Sequence, residues 1–408
     1  MDKQQIIKRP IYLDHIISVL NRGMMIFLVG QRRVGKSYLL LQLKEWLENE
    51  TTGRNVVYVD KERLGSTELS TADELYDFAA KRLPIGEENY LLIDEVQDIE
   101  DYENALRRMH AEGRCQIVAT GSNADIFSSQ LGTRLSGRYI EINVYSLTYL
   151  EFLEFHAIED NDLSLGKYLE VGGLPGLRLF DIDDERHIRD YLFSVYNTIM
   201  MKDVIERNKV RNVPYMNNLC RFVADNIGKL ISTKNIANFL KSKLGKEAAS
   251  DVTTSTYINH LTSALILSPV YRFDIHGKEL LEQNYKYYFS DHGIRNLLCD
   301  FNVRGSIEKI MENVVWLQLL TQGFNVTVGQ LRAGEIDFVA TRGSQRIYVQ
   351  VTYIIRSDET AKREFGNLMN IKDNYPKYLV SMEPIAGGLD NYPGIIHIHL
   401  RDFLRMKF

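Results

Sequence analysis

The sequence predicts an α/β protein: a parallel sheet with helices on both faces, then a mostly helical module, then a second α/β section. Three observations carry this expectation. In the first third of the chain, short β-rich apolar runs alternate with helical stretches, a pattern that implies parallel strands joined by crossover helices. From about Tyr145 to Leu240 the apolar spacing is almost entirely helical, and after about Leu265 strands return. At 408 residues the chain is also too long for one ordinary core. The expected modules are residues 1–145, 146–305 and 306–408.

In order, Met25 to Val29, Asn55 to Val59, Tyr90 to Ile93 and Cys115 to Ala119 read as buried strands. Between them, Lys36 to Leu47, Thr71 to Leu83 and Tyr102 to His110 place apolar residues at helical spacing. Ile231 to Leu240 has a Ser cap before an apolar stripe, and a second helix is expected from about Thr253 to Ile266. Strands Ser268 to Phe273 and Asn284 to Phe289 follow, and the last α/β section begins near Ser306.

Composition bounds the function classes. A 45% hydrophobic, 25% charged chain is that of a globular protein. Net charge of -5 and a pI near 6.0 give no global pull toward nucleic acid, so any such contact must be local. Cys115, Cys220 and Cys299 are few and widely spaced, without a C-x-x-C pair. That argues against a disulfide framework or zinc ribbon and fits a reducing compartment. With no spanning apolar run and no signal-peptide core in MDKQQIIKRP, the expectation is a cytoplasmic protein without membrane contact.

The strongest motif is Gly30-Gln31-Arg32-Arg33-Val34-Gly35-Lys36-Ser37, directly after MIFLV. It matches the P-loop pattern G-x-x-x-x-G-K-[ST]. Glycines let backbone N–H groups close around phosphate oxygens, Lys36 reaches the β and γ phosphates, and Ser37 opens a helix and can ligate Mg2+. Tyr38 follows in the first helical turn. Arg32 and Arg33 are expected to point away from phosphate. Tyr90-Leu91-Leu92-Ile93-Asp94-Glu95 is an apolar strand ending in two carboxylates. Asp94 would hold magnesium and Glu95 would polarise the attacking water. An arginine that stabilises transferring phosphoryl charge would be Arg134 or Arg138 in LGTRLSGR, acting in cis or on a neighbouring subunit of a homo-oligomer.

With KRPIYLD, GQRRVGKS, LLIDEVQD, ATGSN, the LSGR segment, VGGLP and GEIDFV in hand, the chain resembles prokaryotic AAA+-type ATPases with a C-terminal restriction-endonuclease-like domain. The resemblance implies a sensor 1 residue among Thr120, Ser122 and Asn123, with Asn123 or Ser122 favoured; a simple turn is the alternative. It also implies that Arg9 and Pro10 lie near the adenine side, and that Val171 to Pro175 begin or sit within a helical lid.

In the middle module, the two helices and the following β-rich stretch read as a winged helix. Residues 202–251 hold ten Lys or Arg against five Asp or Glu, which favours DNA contact through residues 202–266. TTSTYINHLTSALI contains no Lys or Arg, so a protein partner stays open. In the C-terminal module the resemblance implies a helical Glu312, then Asp337, then an E-x-K pair. Gln350 and Thr352 stand where that carboxylate and lysine belong. The expectation is a persisting fold with cleavage lost. His397 and His399 lack a third ligand nearby and read as structural, and most tyrosines read as core. The favoured function is an ATP-binding and hydrolysing AAA+-type switch; an ATP-regulated nuclease and a nucleotide-dependent scaffold are the alternatives.

Overall fold

In a computed structural model of the chain, the residues described are 6–50, 53–61, 69–124, 135, 137–245, 248–332, 334–355, 358–383 and 392–408. They form two compact units, residues 1–145 with 263–265, and residues 146–262 with 266–408. Among the described residues no helix is long and apolar enough to cross a membrane.

The first unit is built on strands β1 (Met25–Val29), β2 (Asn55–Asp60), β3 (Asn89–Asp94), β4 (Gln116–Gly121) and β5 (Tyr139–Asn143). All pair in parallel in the order β2-β3-β4-β1-β5. Every residue of β1 and β3 is buried, as a sheet covered on both faces requires. The covering helices are α1 (Pro10–Val19), α2 (Lys36–Glu50), α3 (Ala72–Ala80) and α4 (Tyr102–Ala111). Pro10 opens α1 where no N–H is needed, and Thr71 with Glu74 closes a reciprocal cap at α3. One core joins Phe27, Val29, Leu91 and Ile93 of the sheet to Leu75, Leu106 and Met109 of the helices. Strand β5 has only Ile142 buried; its weak apolar pattern hides it in the sequence.

The second unit begins with α5 (Tyr149–His156), α6 (Asp162–Val171) and α7 (Glu185–Thr198), which runs on as a π-helix over Ile199–Glu206. Then come α8 (Val213–Asp225), α9 (Thr233–Leu244), α10 (Asp251–Ser263), β6 (Leu267–Asp274) and β7 (Glu279–Phe289). Ile231, between α8 and α9, pairs antiparallel with Tyr285 of β7. Next are α11 (His292–Leu298), α12 (Ile307–Thr321), β8 (Asn325–Leu331), β9 (Gly334–Arg342), β10 (Gln345–Val351), α13 (Asp358–Met369), β11 (Lys377–Ser381), β12 (Ile395–His399) and α14 (Leu400–Arg405).

The strands of this unit make one mixed sheet, β12-β11-β10-β9-β8-β6-β7. The β6–β7 hairpin is therefore not a free-standing wing. β6 pairs with β8 in parallel through Arg272, Phe273 and Asp274, so residues on both sides of position 305 share one sheet.

Candidate functional site

The buried strand β1 leads directly into the loop that begins at Gly30. Gly30 is required there by packing: a Cβ would sit 2.2 Å from the Val144 carbonyl oxygen, where β5 leaves the sheet. Gly35 supplies the left-handed turn, with φ 99°, and Arg33 shares that region at φ 70°. Lys36 is buried, and its ammonium donates to the carbonyls of Gly30 (2.8 Å) and Gln31 (3.1 Å). The Gln31 amide is 2% exposed, and neither of its polar atoms has a partner among the described residues. Val34 is buried, whereas Arg33 and Tyr38 face solvent.

Arg9 anchors this loop from the N-terminal segment. Its guanidinium donates to the carbonyls of Val34 (2.9 Å) and Tyr145 (3.0 Å) and lies over the Tyr12 ring. Its backbone N–H donates to Gln42 Oε1 of α2. At 2% exposure, Arg9 acts on the loop backbone, while neighbouring Pro10 is exposed.

β4 lies between β1 and β3, so its end falls between the two motifs. Thr120 Oγ1 donates to Asp94 Oδ1 (2.6 Å) and accepts the backbone N–H of Glu95 (2.8 Å). Burial pushes the Asp94 carboxyl above the usual range, against hydrogen bonds from Thr120 and Ser37 and the charge of Lys36. Ser37 of the loop is thus among the groups that act on the carboxylate ending β3. Glu95 sits in the left-handed region at φ 54°. Burial alone would raise its carboxyl, but the cations of Lys36 and Arg32, with hydrogen bonds from Gln97 and Ser122, hold it below the ordinary value. Gln97 donates to Glu95 Oε2 and, at 3.4 Å, to Ser122 Oγ. Asn123 is buried beside them in the chain.

Of the three polar residues at the end of β4 and just beyond it, Thr120 is thus the one bonded to Asp94, and Ser122 the one at Glu95. Sequence reasoning passed over Gln97, although its place two residues after Glu95 is a signal. Arg134 lies outside the described residues. Arg138 is exposed and precedes β5, its carbonyl accepting from Met25 N at 2.9 Å. Since β1 and β5 run parallel with Met25 opposite Tyr139, Arg138 stands at the sheet edge opposite the phosphate loop. A four-residue strand step puts roughly 13 Å between the two edges. Arg138 therefore lies at the other end of the sheet from its own chain's loop.

In the second unit, Gly172 ends α6 with φ 87°, and Gly173 N donates to Asp291 Oδ2 at 2.9 Å. The other Asp291 oxygen caps α11 through Gly293 N and Ile294 N. The VGGLP segment is thus a clasp between helices. Asp337 accepts Val351 N–H at Oδ2 (2.9 Å), and its own N–H donates to Gln350 Oε1 (3.3 Å). Gln350 Nε2 in turn donates to buried Glu364 (2.9 Å). Thr352 is buried, and Lys286 of β7 reaches Asp337, Glu335 and Glu312. His397 pairs with Ser381 Oγ at 2.7 Å, and His399 caps α14 through Arg401 N, so both have structural partners.

Residues 22–153 match the family model described as an AAA domain, and residues 162–304 match a domain of unknown function, DUF8612. An uncharacterised Haemophilus influenzae protein is 31% identical over 381 residues, 92% of this chain and 93% of its own. An uncharacterised Methanocaldococcus jannaschii protein is 27% identical, covering 86% and 83%. Among solved structures, a Walker-type ATPase of Pyrococcus abyssi aligns at TM-score 0.48 and 16% identity, over 72% of this chain and 97% of that one. AMPPCP-bound DnaA from Aquifex aeolicus aligns at 0.30 and 17%, over 63% and 89%. The chain belongs to the family of the Haemophilus influenzae protein, and within it residues 22–153 form the AAA domain.

Proposed function

We propose that the AAA domain binds ATP with magnesium and hydrolyses it, and that the nucleotide cycle works as a conformational switch. One observation carries this reading: Asp94 ends the buried strand β3 and Glu95 follows it, both fixed by the Thr120 hydroxyl and both in the field of Lys36 from the phosphate loop. Ser37 and Asp94 form an oxygen donor pair suited to magnesium, which when bound neutralises charge on the phosphate oxygens. Gly35, Lys36 and the loop N–H groups would cradle the phosphates, and the orphaned Gln31 amide has capacity for a further bond. Glu95, kept ionised by Lys36 and Arg32, would orient water, with Ser122, Asn123 and Thr120 behind it. Arg138 would serve a neighbouring subunit in a homo-oligomer.

The succession α8, the Ile231 bridge, α9, α10 and the β6–β7 hairpin supports a winged-helix reading of residues 213–289. Lys234, Lys241 and Lys243 are exposed on α9, which favours contact with DNA phosphates. The exposed face of α10 offers Val252, Thr256 and Asn259 instead of cations. We read residues 306–408 as restriction-endonuclease-like without cleavage, because an amide and a hydroxyl occupy the positions of Gln350 and Thr352. The free cysteines suit a reducing compartment such as the cytoplasm.

Steady-state ATP hydrolysis of the wild type, Lys36→Ala and Glu95→Gln, with and without duplex DNA, tests the central claim. Turnover should fall at least about 100-fold in Glu95→Gln while ATP binding persists. A wild type that hydrolyses no faster than Glu95→Gln under both conditions would leave only a nucleotide-binding scaffold.

A further inference from the structure

Lys286 is 2% exposed, in a strand where tyrosines flank it. Its ammonium lies 2.7 Å from Glu335 Oε1, 2.9 Å from Asp337 Oδ1 and 3.5 Å from Glu312 Oε2. These groups come from three elements, β7, β9 and α12, far apart in the chain. Glu312 Oε2 also accepts the Tyr288 hydroxyl at 2.8 Å. Gly228, at φ 74°, backs the same carboxylate so closely that a Cβ would lie 2.6 Å from Oε2. Asp337 is fixed on its other side by Val351 N–H.

An isolated buried ammonium would lose its proton or destabilise the fold by several kcal/mol. Here three carboxyl groups, of Glu335, Asp337 and Glu312, stand at 2.7, 2.9 and 3.5 Å from the ammonium and supply the partners that burial demands. The helical glutamate and the strand aspartate are the two carboxylates that the restriction-endonuclease-like pattern gives to a divalent cation. In this chain their oxygens already share a cation at hydrogen-bond distance. Magnesium needs the same oxygens at about 2.0–2.1 Å in octahedral geometry, and it cannot share them with the ammonium. As they stand, the residues do not fit a metal.

We propose that Lys286 is a built-in counter-cation that takes the place of a divalent metal in the C-terminal sheet, and that removing its ammonium turns the Glu312–Glu335–Asp337 cluster into a divalent-cation site. The assignment goes beyond ATP hydrolysis and does not depend on it.

The test is a Mn2+ titration of the full chain without nucleotide, with free Mn2+ read by electron paramagnetic resonance. Any binding at Ser37 and Asp94 is common to all variants. Lys286→Gln should bind one Mn2+ more than the wild type, and Lys286→Gln/Asp337→Asn should not. Lys286→Gln should also melt lower in EDTA, by about 5 °C or more, and recover part of that loss with Mn2+. Equal Mn2+ uptake by Lys286→Gln and the wild type overturns the proposal. Should Lys286→Gln fail to fold, the wild type and Asp337→Asn decide: a wild-type Mn2+ site that Asp337→Asn removes overturns it, and identical titrations support it.

Discussion

At the residue scale, Thr120 shows how little a polar side chain reveals before its neighbours are known. In sequence it is the candidate in TGSN passed over for Asn123 or Ser122, yet its hydroxyl joins Asp94 to the backbone of Glu95. Thr120→Val keeps the shape but takes the acceptor from the buried Glu95 N–H and the Thr120 donor from Asp94. That costs roughly 1–3 kcal/mol of stability. ATP turnover should fall about 10-fold or more with ATP affinity changed far less, and Thr120→Ser should restore most of it. An unchanged kcat in Thr120→Val would remove this residue from the site. Lys36, Ser37 and Asp94 are legible in the sequence because each motif is contiguous. Lys286 is not, since only folding brings its side chain to Asp337. The lysine sought at position 352 is absent there, and a lysine from another strand stands at Asp337 instead.

At the element scale, strands are legible in proportion to their burial. β1, β3 and β4 are continuous apolar runs, whereas β5 exposes Glu141 and Asn143 and carries no such signal. Helix ends are set by chemistry that the sequence shows only in part: VGGLP looks like a plain helix break, and Asp291, which completes it, lies 118 residues away. Gly172 is the sensitive position, because its φ is left-handed and a Cβ would fall 2.6 Å from both Asp291 Oδ1 and Gly293 N. Gly172→Ala should destabilise the second unit by about 2–4 kcal/mol, read as a lower denaturant midpoint with an unchanged m-value. A midpoint within error of the wild type would show that α6 and α11 can part without cost. The hairpin β6–β7 was visible as two strands, but its parallel pairing with β8 was not, because nothing local marks a crossover connection.

On the scale of the whole molecule, each unit has its own apolar core, one under the parallel sheet and one between α13 and strands β9 to β12. Calorimetry should therefore resolve two transitions. Magnesium ATP at about 100 times its Kd should stabilise the one belonging to residues 1–145 by about 2.7 kcal/mol. A nucleotide-induced shift in the other transition alone would refute ATP binding at the phosphate loop. The expected boundary at 305/306 follows composition, but the sheet follows hydrogen bonds, and these tie residues 267–289 to residues 325–399.

That shared sheet bears on how the protein can be dissected. A truncated chain ending at residue 305 would strip β6 of its partner β8 and leave an open edge prone to pairing with other chains. The same cut would take Glu312, Glu335 and Asp337 from Lys286, stranding a cation in an apolar surround. Loss of function on such a deletion would report a ruptured sheet and would not assign a role to the missing segment. Point substitutions within the intact chain are the means of assigning a role to each part.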